Sequence, residues 1–353
     1  MKTDAKILIC YNSPVSIFPI YNGKPVEESN PLNDLSESAF SRDLEIIRKG
    51  LGNYFTEVGT FAVDGNIEKT INYLNRSNPD VIYNFVETIE GVASYEYCIA
   101  GIFQLLGFQF TGNPPATLGN CLNKERAKNI LRSFNIPTPN SLIIKQEDKV
   151  SNKTFNLEFP VILKLLNEDA SIGISELSVV KNLNQLRKQL KFLFDTYRQD
   201  VIVEEYIEGR ELNVAILGDR ILPVSEILFK GLPEGLPKII TYDSKWIEES
   251  IYYQHTQPSC PAKLGKKDKN NVEFVARSAF NAMNCRDYAR VDIRLNKNGT
   301  PYVIEVNPNP DISTDSGFVR AASKTGISYP ELLFTIANFA LSRKANDTKN
   351  KAS

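Results

Sequence analysis

The chain has 353 residues, 42% hydrophobic and 24% charged, too long for one ordinary domain and too apolar for a disordered or fibrous chain, so two or three packed units are expected. Its 41 Lys and Arg against 42 Asp and Glu leave a net charge of −1, which excludes a global attraction for nucleic acid or anionic lipid and confines any polyanion site to a local patch. The first apolar run, Ile7 to Tyr11, is shorter than the core of a signal peptide, the five cysteines at 10, 98, 121, 260 and 285 include no close pair, and His255 is the only histidine; a cytoplasmic protein without disulfide framework or multi-histidine metal site is expected.

Residues 1–115 alternate β-branched runs with amphipathic stretches, as βαβ units around a parallel sheet do. Lys6–Tyr11, Thr56–Val63 and Asp80–Phe85 read as strands. Between them, Ser36 can cap a helix with apolar positions Phe40, Leu44, Ile47 and Leu51, and Ile67–Leu74 and Tyr95–Leu106 read as two more helices. The cluster Thr111–Pro115 closes this first unit. A second unit, 116–200, begins with a helix over Leu122–Phe134, breaks at Ile136–Pro139, and continues with strands at Ser141–Ile144, Pro160–Leu165 and Glu176–Val180 and a helix over Asn184–Tyr197. From Val201 the chain is strand-rich, with a helix at Val272–Met283 and the strand pair YARVDIRL and PYVIEVN joined by the turn NKNGT. This third unit, 201–344, ends after a helix over Tyr329–Leu341, and the polar tail 345–353 is expected to be disordered.

Neither a Walker A motif nor a full GxGxxG occurs, so a phosphate site must be built differently. The strand pair is the most informative segment. Alternation puts Glu305 and Asn307 on one face of the second strand, and the hairpin brings Asp292 and Arg290 of the first beside them. Two carboxylates and an amide oxygen suit a hard cation of the Mg2+ type, and an arginine there can hold a phosphoryl oxygen. Lys164 ends an apolar strand before the small polar loop Asp169–Gly173, whose backbone N–H groups can cradle an anion. In VIVEEYIEGRE, Glu204 can meet an adenine edge and Glu211 a ribose.

Taken in this order and spacing, these segments resemble the ATP-grasp fold, and more closely its D-alanine–D-alanine ligase branch, from about Asp80 to Leu341. The resemblance is carried by LNKERAKNIL, PVILKLLNEDASIGIS, EEYIEGRELNVAILGDRILP, YDSKWIEES with SCPA, RVDIRLNKNGTPYVIEVNPNPDIS and GISYPELL. It implies an N-terminal parallel-sheet domain followed by two α+β subdomains clasping ATP. By that similarity Lys124 and Lys164 would contact nucleotide phosphates or adenine, Glu204, Tyr206 and Ile207 the adenine pocket, and Glu211 the ribose. Lys245 would reach the γ-phosphate from a mobile loop, Arg290 would stabilise the transition state beside Ser171 of the phosphate loop, and Asp292, Glu305 and Asn307 would bind Mg2+ or Mn2+. Ser316 matches the serine that holds the second substrate's carboxylate.

The first-substrate half departs from that branch. The first strand leads to YNSPVSIF instead of a glycine-rich turn, NFVETIEGVASYE replaces a histidine-glycine segment, Ala170 stands for one serine of a pair, Trp246 for a tyrosine, and Asp311 for a glycine. Glu87 or Glu90 can replace the lost carboxylate, and Trp246 adds apolar bulk. The expected activity is an ATP- and Mg2+-dependent carboxylate–amine ligation through an acyl-phosphate, on small-molecule amino-acid or carboxylic-acid substrates, with D-alanine not the best first substrate. No nucleic-acid or membrane partner is expected, and a homodimer is allowed. The alternatives are a ligase of other amino acids or of a specialised-metabolite acid, and a non-catalytic nucleotide-binding module.

Overall fold

The computed structural model describes residues 2–24, 35–151 and 153–352. β1 (Thr3–Asn12), α1 (Leu35–Gly52), β2 (Phe55–Val63), α2 (Ile67–Ser77) and β3 (Val81–Phe85) alternate as the sequence indicates, and the three strands pair in parallel in the order β2-β1-β3. β3 is buried throughout, the mark of a parallel strand covered on both faces. α3 (Tyr95–Leu105) packs Ile99, Ala100 and Phe103 into one of those faces. The cap of α1 falls outside the described residues, and Ser36 lies inside that helix.

The helix expected over Leu122–Phe134 is α5 (Lys124–Ser133), and a short helix that the sequence reading did not include, α4 (Pro115–Leu122), precedes it. Asn123 divides them: its backbone is extended, and its side chain accepts the N–H of Arg126 at 2.9 Å, so it caps a new helix instead of continuing the old one. β4 (Ser141–Ile144), β5 (Val161–Leu165), β6 (Val179–Val180) and, after α6 (Leu183–Tyr197), β7 (Val201–Glu205) form an antiparallel sheet in the order β4-β7-β5-β6, with the apolar face of α6 packed against it. The strand expected at Glu176–Val180 is reduced to its last two residues, because Ser175 and Ser178 close a capping box over a 3-10 turn at Glu176–Ser178.

A third, six-stranded antiparallel sheet is built from β8 (Gly209–Leu217), β9 (Arg220–Ile221), β10 (Ser225–Leu228) and, beyond α7 (Tyr242–Trp246) and α8 (Ile251–His255), from β11 (Gln257–Ser259). α9 (Lys266–Ala282), longer than expected, leads to its remaining strands, β12 (Tyr288–Asn296) and β13 (Pro301–Asn307). The path across the sheet is β11-β10-β8-β12-β13, with β9 paired to β8. One face carries α5 and α9, and the other faces β1, β3, α10 (Gly317–Ser323) and α11 (Tyr329–Ala352) in a shared core. The last helix runs past Leu341 into the segment expected to be disordered, where Ala, Lys, Asn and Asp offer no Pro or Gly to stop it. Among the described residues no helix is long and apolar enough to cross a membrane.

Candidate active site

The register of β12 and β13 sets Arg290 opposite Asn307 and Asp292 opposite Glu305, with a shift just after Asp292 that bulges the partner strand at Ile304. The four side chains singled out in the sequence are therefore gathered. Asp292 is the hub: Arg290 grips it with two bonds of 2.8 Å, Asn307 Nδ2 donates to it at 3.0 Å, and Asn213 Nδ2 on the neighbouring β8 donates at 2.7 Å. Burial works against its charge, but Arg290 and these donors outweigh burial and hold its carboxyl below the ordinary range. Asn213 was not foreseen; its sign in the sequence is an amide alternating with Glu211 in an otherwise apolar strand.

Lys124, the first residue of α5, lies 3.6 Å from both Glu305 Oε1 and Asp169 Oδ1 and donates to the carbonyl of Glu168. Burial disfavours its charge, and Glu305, Asp169 and Glu168 more than restore it. Lys164 on β5 meets Glu204 of β7 at 3.0 Å. Glu204 is 1% exposed and is claimed a second time, by Lys128 at 3.2 Å. Its carboxylate is thus a clamp for two lysines; burial works to raise it, and the two lysines outweigh burial and hold it below the ordinary glutamate range. Lys128 was missed in the sequence, although it follows Lys124 by one helical turn; it also donates to Thr138 at 3.0 Å, and burial pushes it down to about 8.

Beyond β7 the chain turns through Tyr206 and Ile207 into β8. The Arg294 guanidinium stands 5.4 Å over the Tyr206 ring and 2.8 Å from Glu211, so the residues expected around adenine and ribose share one cation. Burial raises Glu211 against the pull of Arg294.

Lys245 does not sit in a loop. It is on α7, a single turn closed by the Thr241–Ser244 capping box, with Tyr242 N donating to the carbonyl of Ile174 at 3.0 Å. Burial and then the nearby Arg290 lower its affinity for a proton, opposed by Glu305 and Asp292. Trp246 Nε1 reaches the carbonyl of Ala170 at 3.5 Å. Ala170 and Ser171 both have left-handed backbones, φ 53° and 63°, a conformation that turns consecutive N–H groups to one side.

Ser316 caps α10 by accepting from Val319 N at 3.3 Å. Glu87 is exposed, its N–H bonded to Asn12 Oδ1 at 3.0 Å. Beside it is an acid that sequence reading passed over, Glu96, 8% exposed, receiving Asn309 Nδ2 at 3.3 Å; burial, Asp169 and Glu87 all raise it. His255, with Nδ1 2.9 Å from the carbonyl of Lys230, plays no part in the site.

Asp292, Glu305 and Asn307 offer the oxygen donors a hard divalent cation takes, and the lysines and arginine around them offer charge to a polyphosphate. This chemistry agrees with three kinds of likeness. Residues 130–338 match the family described as D-ala D-ala ligase C-terminus. Uncharacterized protein y4sG of Sinorhizobium fredii is 34% identical over 262 residues, 74% of this chain and 74% of that protein. A D-alanine–D-alanine ligase of Mannheimia succiniciproducens is 26% identical over 252 residues, 70% of this chain and 77% of its own. In fold, the chain is similar to the crystal structure of D-alanine–D-alanine ligase from Bacillus anthracis complexed with ATP, with a TM-score of 0.73, 20% identity and coverage of 97% and 99%.

Proposed function

Since this chain belongs to the D-alanine–D-alanine ligase family and is an ATP-dependent ligase of carbon–nitrogen bonds, we propose that it makes a dipeptide-like amide from two small acids or amino acids, the first of them not D-alanine. The observation that carries the site assignment is the gathering of Arg290, Asp292, Glu305 and Asn307 on two paired strands, with Lys124 3.6 Å from Glu305. Burial and then Arg290 disfavour the Lys245 charge, Glu305 and Asp292 oppose them without restoring it, and Arg290 is itself held by Asp292 at 2.8 Å. A transferring phosphoryl group would supply the further negative charge that favours Lys245 as a cation.

A carboxylate is a poor electrophile at neutral pH, so it must first take the γ-phosphoryl group; a free amine then attacks the acyl carbon and phosphate leaves. Mg2+ bound by Asp292, Glu305 and Asn307 would screen the polyphosphate charge. Lys124 and Lys164 orient the nucleotide, with Glu204 fixing Lys164 through one short ion pair and Lys128 through another. Tyr206, Ile207 and Glu211 hold adenine and ribose, Lys245 and Arg290 neutralise the moving phosphoryl oxygens, and Ser171 donates from its left-handed turn. Ser316 retains an O–H to offer a substrate carboxylate while its oxygen caps α10. The units 1–115, 116–200 and 201–344 are the expected lobes around this centre. The setting is cytoplasmic, where ATP and free amino acids meet, with no nucleic-acid or membrane partner and with a homodimer as the assembly to test.

Substrate choice follows from the altered half. Ala170 and Trp246 remove hydroxyl groups, and a substrate group left unpaired there costs ~1–3 kcal/mol. Glu87, and Glu96 behind it, put carboxylates where an ammonium group would dock. The test is a phosphate-release screen of amino acids singly and in pairs with ATP and Mg2+, with mass analysis of products. Amino-acid-dependent phosphate and a new amide are expected. No such release from any pair, or D-alanine with itself giving a specificity constant about tenfold or more above all others, would overturn the reading.

A further inference from the structure

After β1 the chain does not stay with its own sheet. It crosses to the loop that precedes β6 and to α7. Tyr21 O accepts the N–H of Gly173 at 2.8 Å, Ser175 Oγ donates to Gly23 O at 3.3 Å, and the ring of Phe18 meets Tyr197 at 5.2 Å. Gly23 has φ +72°, and a Cβ there would lie 2.3 Å from the carbonyl oxygen of Gly173, so the two backbones touch with no room for a side chain. On the far side, the rings of Tyr21 and Tyr242 are 6.0 Å apart, and Leu35 N donates to Tyr242 Oη at 3.1 Å.

Lys24 ends this crossing. Its ammonium is 2.8 Å from Asp243 of α7 and 3.3 Å from Glu176 of the 3-10 turn, and all three side chains are largely buried. Asp243 is 5% exposed, and its other oxygen, Oδ1, has no hydrogen-bond partner among the described residues. Among the described residues, Lys24 is therefore the countercharge on which the burial of Asp243 rests. Burial disfavours the Lys24 charge, but the two carboxylates outweigh it. Asp243 stands two residues before Lys245 on a helix of five residues, too short to hold its place by itself.

We propose that Lys24 is a positioning residue for the reaction: by pairing with Asp243 and Glu176 it binds α7 to the phosphate-side loop, and so keeps Lys245 in the site. The role of Lys245 rests on the proposed function; the placing of α7 does not. A family member that has lost the hydroxyl contacts at Ala170 and Trp246 closes this side of its site with a charged strap from its own N-terminal segment.

The experiment is amide hydrogen exchange over residues 242–247 of the full chain without nucleotide, paired with steady-state kinetics. K24M should speed exchange there by about tenfold or more, K24R should restore it, and K24M/D243N should exchange more slowly than K24M, because the more deeply buried of the two carboxylates, on α7 itself, is then no longer left without its cation. D243N, which removes the pair from its other side, carries the same expectation should K24M not fold. In turnover, kcat should fall with the KM for ATP within about threefold, and phosphate released per amide formed should rise, since a site that closes poorly admits water to the acyl-phosphate. A purely structural lysine would leave that ratio unchanged. Unchanged exchange in K24M, or fully additive effects of K24M and D243N, overturns the proposal. Faster exchange in K24M, in a wild type that shows no amino-acid-dependent phosphate release, upholds the placing of α7 and overturns the ligase reading instead.

Discussion

Two lysines share the buried Glu204 carboxylate, and the titration of Lys128 can be read in stability. Unfolded lysine titrates near 10.5 and buried Lys128 at about 8, so between those values the unfolded chain binds more protons and the lysine's contribution to stability rises with pH. The stability difference between wild type and Lys128→Met, from denaturant unfolding at intervals from pH 8 to 10.5, should shift in favour of wild type by up to about 3 kcal/mol. A flat difference would show that Glu204 keeps Lys128 fully charged. For Glu305→Gln, volume is kept while a ligand charge is removed, so turnover should vanish with the unfolding free energy within about 1 kcal/mol of wild type. Near-normal phosphate release with unchanged Mg2+ dependence would remove Glu305 from the metal site. Lys245→Ala should lower kcat far more than ATP affinity, as a contact made chiefly to the moving phosphoryl group does; equal losses in both would argue for ground-state binding.

Among the elements, α5 shows how a cap sets a functional group. Asn123 accepts from Arg126 N at 2.9 Å and donates to Asn167 at 3.1 Å, fixing both the start of the helix and its approach to the phosphate-side loop. Asn123→Ala should cost about 1 kcal/mol of stability and raise the KM for ATP, because Lys124 is the next residue; thermal unfolding and initial rates check the two together. This break is also where sequence reading went astray. The expected start at Leu122 passed over the Asn123 cap, a local side-chain bond to Arg126 N, and with it the short helix that ends at Leu122. The strand expected from Glu176 begins only at Val179 for a like reason, since a local serine capping box turns the chain over Glu176–Ser178 first. Lys245 was assigned to a loop because five residues carry too little periodicity to reveal a helix. The strand pair of Asp292 and Glu305, by contrast, was legible, because alternation over two joined strands fixes side-chain direction without help from the rest of the fold. Lys128, Asn213 and Glu96 were not, since each draws its meaning from a partner 76, 79 or 213 positions away.

At the level of the whole molecule, the parallel sheet and the six-stranded sheet are locked through one buried acid. Asp287, φ 58°, takes both guanidinium nitrogens of Arg343 and the N–H of Gly112 at 3.0 Å, while Asn113 donates to the carbonyl of Tyr288 at 2.9 Å. Arg286 lies beside them with its pKa lowered to about 10 by burial and by Arg343. Asp287→Ala would leave two guanidinium groups facing each other without an anion, and a loss of about 3–5 kcal/mol in the global unfolding transition is expected. A separate early transition of the N-terminal unit, followed by calorimetry, would instead mean that the two sheets are held together elsewhere.

The contact of Gly23 with the carbonyl of Gly173 bears on how such a chain can change over generations. Side-chain contacts drift by small exchanges, one partner shrinking as the other grows. Here one peptide unit rests directly on another, and the smallest replacement at Gly23 already collides with it. The crossing segment and the loop it lies on must therefore be inherited together, gained or lost as one piece. Homologues that lack a glycine at the first position are expected to run this stretch along a different course and to close their sites with other residues.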